Sequence, residues 1–385
     1  MFTVDVTGNV PRIGQQDYLS CGAATCQMTR DGYPNPSDRL FYNQSDLWNI
    51  IKAHNSGDPT DHAWNWSADP NGVVGCLNSL ANPQGINWSH FAAADRNAAL
   101  FSLLGSMKLS NFPTPVLVNQ GQHWVTVVKY ITDVEPTAGS TPTLSTIGYL
   151  NPEPQNVGSY TEISGASWFA YTWNGPVKYN GTWLGKYVVV VESTGGAGAG
   201  VEVALAEKAG GGPLTAEQAV DFASRYIDAP SAIHRHASGL FSHEESVSLE
   251  AALVQYGNPE GAAPGAPDYF IVPYGLKREA DSRGVSPARG CVLVDAVSGE
   301  FQEATTFGKP VRYLRRDEAL SIVAAALGQR PQDSSAVDAR LMFQPSDISN
   351  VRAFPFWRIK TEKGVFYVEQ TGTLHRTLAP SGPGR

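Results

Sequence analysis

Cysteine is scarce in this chain of 385 residues: Cys21, Cys26, Cys76 and Cys291 are too few and too scattered for a disulfide scaffold or a paired zinc motif. Long apolar runs are absent as well. The longest clean one, Tyr187 to Val191, falls far short of the ~20 residues that a membrane-spanning helix needs. Positive charge is in deficit, with 28 Lys and Arg against 36 Asp and Glu and a net charge of -8, and no run of basic residues makes a local exception. Neither nucleic acid nor an anionic membrane is therefore expected as a partner. The opening "MFTVDVTGNVPRIG" has no basic region leading into an apolar stretch and a small-residue cleavage site. A cytoplasmic protein as synthesised is expected, and export as an effector would need a dedicated route. Without a secretory signal, the glycosylation-type triplets at Asn43, Asn65, Asn87 and Asn180 read as chance.

The composition changes near residue 194. Residues 1–193 carry 14 acidic and 9 basic residues, residues 194–385 carry 22 and 19, and eight of the nine tryptophans precede the change. "STGGAGAG" and "KAGGGP" mark it with the glycine content of a flexible connector. The expected organisation is a domain at 1–193, a linker at 194–212 and a second domain at 213–385.

In the first domain, "CGAATCQMTRDG", "SDLWNIIKAHN" and "ADRNAALFSLLGSMKLS" read as helices. "TPVLVNQ", "HWVTVVKYI", "LSTIGYL" and "KYVVVVE" read as strands of an antiparallel sheet. Helices first and strands second predict an α+β fold in two layers, with active groups at the seam. The second domain reads as a repeat of helix, strand, strand. "TAEQAVDFASRYI" leads to "YFIVPYGLK" and "GCVLVDAVSGEF", and "RRDEALSIVAAAL" leads to "FPFWRIKTE" and "GVFYVEQTGTLH", with turns at Gly299 and Gly372.

The stretch "GQQDYLSCGAATCQM" carries the chemistry. A thiol attacks an acyl carbon as a thiolate, a minor form at neutral pH for an ordinary cysteine. Cys21 opens a helix, where unpaired N–H groups and the positive end of the dipole favour ionisation, and Gly22, Ala23 and Ala24 leave room beside the sulfur. An imidazole would complete the activation, and His123 stands at the first residue of a strongly β-forming run. The imidazole needs an orienting group: Asn151 ends the next strand, ahead of Pro152. Gln15, six residues before Cys21, suits the oxyanion formed on attack, with Gln16 as the fallback. Asp133, at the start of the insertion "TDVEPTAGSTPTLS", competes with Asn151 and ranks second because it opens a loop. Cys26, Cys76 and Cys291 read as core, and a Cys26–Cys76 bond stays open. Trp124 and the other tryptophans of the domain suit either a peptide cleft or the core. His234, His236, His243, Glu244 and Glu245 have metal-ligand types without a ligand spacing and read as solvated surface.

"GQQDYLSCGAA", "QHWVTVVKY" and "YLNP", in that order, resemble the papain-like cysteine peptidases, most closely the branch with the bacteriocin-leader-processing (double-glycine) peptidases and related bacterial proteases. The resemblance covers roughly residues 10–193. It implies Gln15 as oxyanion donor, Cys21 as nucleophile, His123 as general base and Asn151 as orienting residue, with no metal or organic cofactor. The chain departs from the branch at Ser20 and Asn151, where Asp is usual, and asparagine is the orienting group of papain-type enzymes. In the second domain, "VLVDAVSGE" and "YVEQTGTLH" resemble the PepSY-type modules attached to bacterial proteases, which implies an inhibitory or targeting role. The expected function is peptide-bond hydrolysis of a peptide or protein substrate through a thioester, with the second domain recognising a target protein or restraining the protease. Two rivals are a cysteine-dependent acyltransferase, deamidase or transglutaminase, and an inactive binding protein on a protease scaffold.

Overall fold

A computed structural model of the chain describes residues 1–17, 19–32, 42–56, 67–80, 86–137, 140–179, 181–192, 202–203, 214–228, 246–248, 250–257, 268–280, 286–330, 336–346 and 348–379. Its residues form two compact units, one built on Met1–Ala206 and one on Glu207–Ser381. Each is mixed α+β.

In the first unit the strands are β1 (Phe2–Asp5), β2 (Trp88–Ala93), β3 (Thr114–Val118), β4 (His123–Thr132), β5 (Thr143–Asn151), β6 (Ser159–Ser164), β7 (Tyr187–Glu192) and β8 (Glu202–Val203). Six of them run antiparallel in the order β2–β7–β3–β4–β5–β6. β1 pairs with the far half of β4, beyond the reach of β3, and β8 lies parallel to the start of β5. The near-continuous apolar character of β3, β4 and β7 has a physical cause, because helices cover both faces of these strands. On one face Leu117, Trp124, Val188 and Val190 pack with Ile51, Val73 and Leu77, side chains of α2 (Gln44–His54) and α3 (Pro70–Ser79). The same cluster takes in Cys21 and Cys26 of α1 (Cys21–Asp31). On the other, Val116, Val118, Val125 and Val189 meet Leu100, Leu103, Leu104 and Met107 of α4 (Arg96–Ser110). The expected two-layer arrangement is thus corrected to a sheet between helices.

Side chains at the helix starts satisfy N–H groups that the helices cannot pair internally. Asn43 accepts from Ser45 N, Asp69 from Gly72 N and Asp95 from Asn97 N. Asp69 with Pro70 at the first helical position explains α3, which the sequence reading left unassigned along with β1, β2 and β6. Trp88, Trp124, Trp168, Trp173 and Trp183 are all core residues. Trp64 and Trp66 lie outside the described residues.

The second unit repeats helix on antiparallel strands. α5 (Ala216–Asp228) sets Ala219 and Ala223 against Val272, Val292 and Val294 of β9 (Tyr269–Leu276) and β10 (Ala288–Asp295), whose partner is β11 (Phe301–Val311). The next helix (Arg316–Ala326) sets Ala319 and Val323 against Ile359, Phe366 and Val368 of the hairpin Phe356–Thr361 and Gly364–Val368. Among the described residues no helix is long and apolar enough to cross a membrane.

Candidate active site

Cys21 is the first residue of α1, and the preceding Ser20 makes no side-chain cap. Its hydroxyl turns back instead, accepting from Asp17 N and donating to Asp17 O, each at 3.1 Å. Ser20 therefore does not cap the helix end, the kind of end that can stabilise a thiolate or an oxyanion. Gly22 holds this end against the start of β4. A Cβ there would stand 2.4 Å from the Ala68 methyl and 3.7 Å from Trp124 Cδ1, and the Trp124 indole donates to Ala68 O at 2.8 Å. The Cys21–Gly22 and His123–Trp124 segments are accordingly packed together. The Cys21 side chain is fully buried.

His123 begins β4 after a turn in which Asn119, Gln120 and Gly121 have φ of 50°, 57° and 92°. Three successive left-handed residues reverse the chain tightly and are costly for any residue but glycine or asparagine. The turn is tied down where Gln122 donates to the Tyr179 hydroxyl at 2.9 Å, and burial pushes that phenol up to about 12.

Asn151 is the last residue of β5 and is buried beside His123. Its Oδ1 lies 2.8 Å from His123 Nε2 and accepts from Glu153 N at 2.9 Å. A backbone N–H can only donate, which fixes the oxygen of the carboxamide and, through it, the tautomer of the ring. Nε2 is therefore the donor in this bond.

Gln15 is 2% exposed, and its Oε1 has no hydrogen-bond partner among the described residues. Its backbone is joined to the turn that follows Asn151: Gln15 N donates to Pro152 O, and Asn156 N donates to Gln15 O, both at 2.8 Å. Gly14 allows the approach, since a Cβ there would fall 2.4 Å from Val157 N. Asn151 and Gln15 therefore share one scaffold. Gln16 has an exposed side chain. Asp133 is exposed at the opposite end of β4, ten residues or about 30 Å from His123. It caps its own loop, and the hydrogen bonds from Thr143 and Val134 hold its carboxyl below the usual range.

All four cysteines are free thiols, so no Cys26–Cys76 bond is present. Burial and a hydrogen bond with Cys76 push the Cys26 thiol well up, the opposite of what a nucleophile needs. No group of three potential metal ligands occurs among the described residues, and the His234, His236, His243, Glu244 and Glu245 set lies outside them. Sequence reasoning passed over Gln44, Gln155 and Asn156, which bind the Gln15 segment; amide residues of that kind carry no local signal.

No protein-family model matches this chain, and no curated protein matches it. Among solved structures, the Bacillus megaterium YpeB C-terminal domain aligns over 65% of this chain and 86% of its own, at 10% identity and a TM-score of 0.18. A likeness of that size bears on neither fold nor function.

Proposed function

We propose that residues 1–193 form a papain-like cysteine peptidase domain, joined by the 194–212 linker to a PepSY-like module at 213–385. The observation that carries this reading is the doubly anchored Asn151 carboxamide, which holds Nε2–H of His123 and leaves Nδ1 as the base. Nδ1 takes the proton of the Cys21 thiol, and the thiolate attacks the carbonyl carbon of the scissile peptide bond. The oxyanion is met by the Gln15 carboxamide and the Cys21 backbone N–H. The intermediate collapses as the imidazolium donates its proton to the departing amine, leaving a thioester on Cys21. Water, deprotonated by Nδ1, then hydrolyses the thioester and regenerates the thiol. No metal or organic cofactor enters the sequence of steps. The second unit recognises a partner or restrains the peptidase; its repeated strand, acidic residue and glycine turn support a module of that kind.

The test is cleavage of a broad peptide library by the protein and by Cys21→Ala, read by mass spectrometry. Cleavage by the first and none by the second is expected. Ammonia release or amine incorporation at glutamine side chains, without chain cleavage, would move the assignment to acyl transfer.

A further inference from the structure

We propose that Gln44 is a positioning residue for the oxyanion donor, acting through the backbone of Gln15; this rests on the peptidase reading above. Gln44 is the first residue of α2, buried, and 28 to 30 positions from the segment it binds. Its carboxamide is used at both ends. Nε2 donates to Gly14 O at 2.9 Å, and Oε1 accepts from Gln16 N at 3.0 Å.

These two bonds flank the residue whose side chain is to meet the oxyanion. On the other side, Gln15 N donates to Pro152 O, Asn156 N donates to Gln15 O, and Gln155 Nε2 donates to Gln16 O. Five successive backbone groups, from the carbonyl of Gly14 to the carbonyl of Gln16, are thus held from two directions. One direction is the turn after Asn151; the other, among the described residues, is Gln44. A side-chain amide is the group this place requires, because it must donate to a carbonyl and accept from an N–H at once. The α2 helix does not need it there, since Asn43 supplies the cap. Gln44 therefore fixes the position of an oxyanion donor, and a donor displaced by a fraction of an ångström loses much of its effect in the transition state.

Gln44→Met keeps the shape and removes both bonds. With wild type cleaving and Cys21→Ala inert, Gln44→Met is expected to lower kcat at least tenfold with KM within about threefold of wild type. The double variant Gln15→Ala/Gln44→Met is expected to be no slower than Gln15→Ala, because Gln44 acts only through Gln15. A general structural role would instead make the two losses multiply. Gln44→Glu suits the first turn of a helix and covers the case in which the methionine variant fails to fold. Ionised, it faces the Gly14 carbonyl with an acceptor; protonated, it restores a donor there. Its rate relative to wild type should therefore recover as pH falls.

Amide exchange at Gln16 reads the clamp without any turnover, and protection there should drop at least tenfold in Gln44→Met. Unchanged exchange, unchanged kcat or multiplicative losses would each overturn the proposal. Absence of Cys21-dependent cleavage in the wild type, alongside lost Gln16 protection in Gln44→Met, would locate the failure in the peptidase reading and not in the clamp.

Discussion

The Asn151 oxygen is claimed twice, by His123 Nε2 and by Glu153 N, and this sets what substitutions there will do. Asn151→Asp preserves both acceptor bonds and should retain most activity, whereas Asn151→Ala frees the ring and should lower kcat ~10²-fold or more. Initial rates of the two variants on one peptide decide the matter; equal losses would contradict the orienting role. Thiol chemistry separates the cysteines in the same way. Iodoacetamide should modify Cys21 ahead of Cys26, whose thiol is pushed up by burial and by Cys76, and peptide mapping of partly alkylated protein will show the order. Simultaneous labelling would mean that Cys21 has no special ionisation. The positions of Cys21, His123 and Asn151 in their elements were legible in sequence, since a helix start, a strand start and a strand end each leave local marks. Gln44 was not, because its partners lie 28 and 30 residues away and an amide at a helix start has no single meaning.

Elements deliver these residues, and two glycines show how narrowly. The turn before β4 needs a left-handed residue at Gly121, with φ of 92° and the Val177 side chain 3.1 Å from where a Cβ would be. Gly121→Ala should cost ~1–2 kcal/mol in urea unfolding and reduce activity, because the strain falls two residues from His123. Gly14→Ala would drive a methyl onto the Val157 backbone and should cost ~1–3 kcal/mol, with kcat falling further than stability alone explains. A variant as stable and as active as wild type would show that the Gln15 segment need not sit so close to the Asn151 turn. The long helices and the β-branched strands were readable because their apolar periodicity is strong. α3 was missed because Gly72 and Gly75 dilute its pattern, although Asp69 and Pro70 announce its start. The covering of both sheet faces was also missed: an apolar run such as Val188–Val191 shows burial but not what buries it.

At the scale of the whole molecule, each unit has apolar clusters of its own, one on either face of the sheet in Met1–Ala206 and one under each helix of the Glu207–Ser381 repeat. Peptide-bond cleavage through a thioester requires a covalent bond to one sulfur. Protein quenched in acid during turnover of a cleaved peptide, then digested and mapped by mass spectrometry, should carry the acyl half of the substrate on Cys21, removable by hydroxylamine. The adduct should be missing from Cys21→Ala. An acyl group on any other residue, or cleavage that survives the loss of Cys21, would contradict the account.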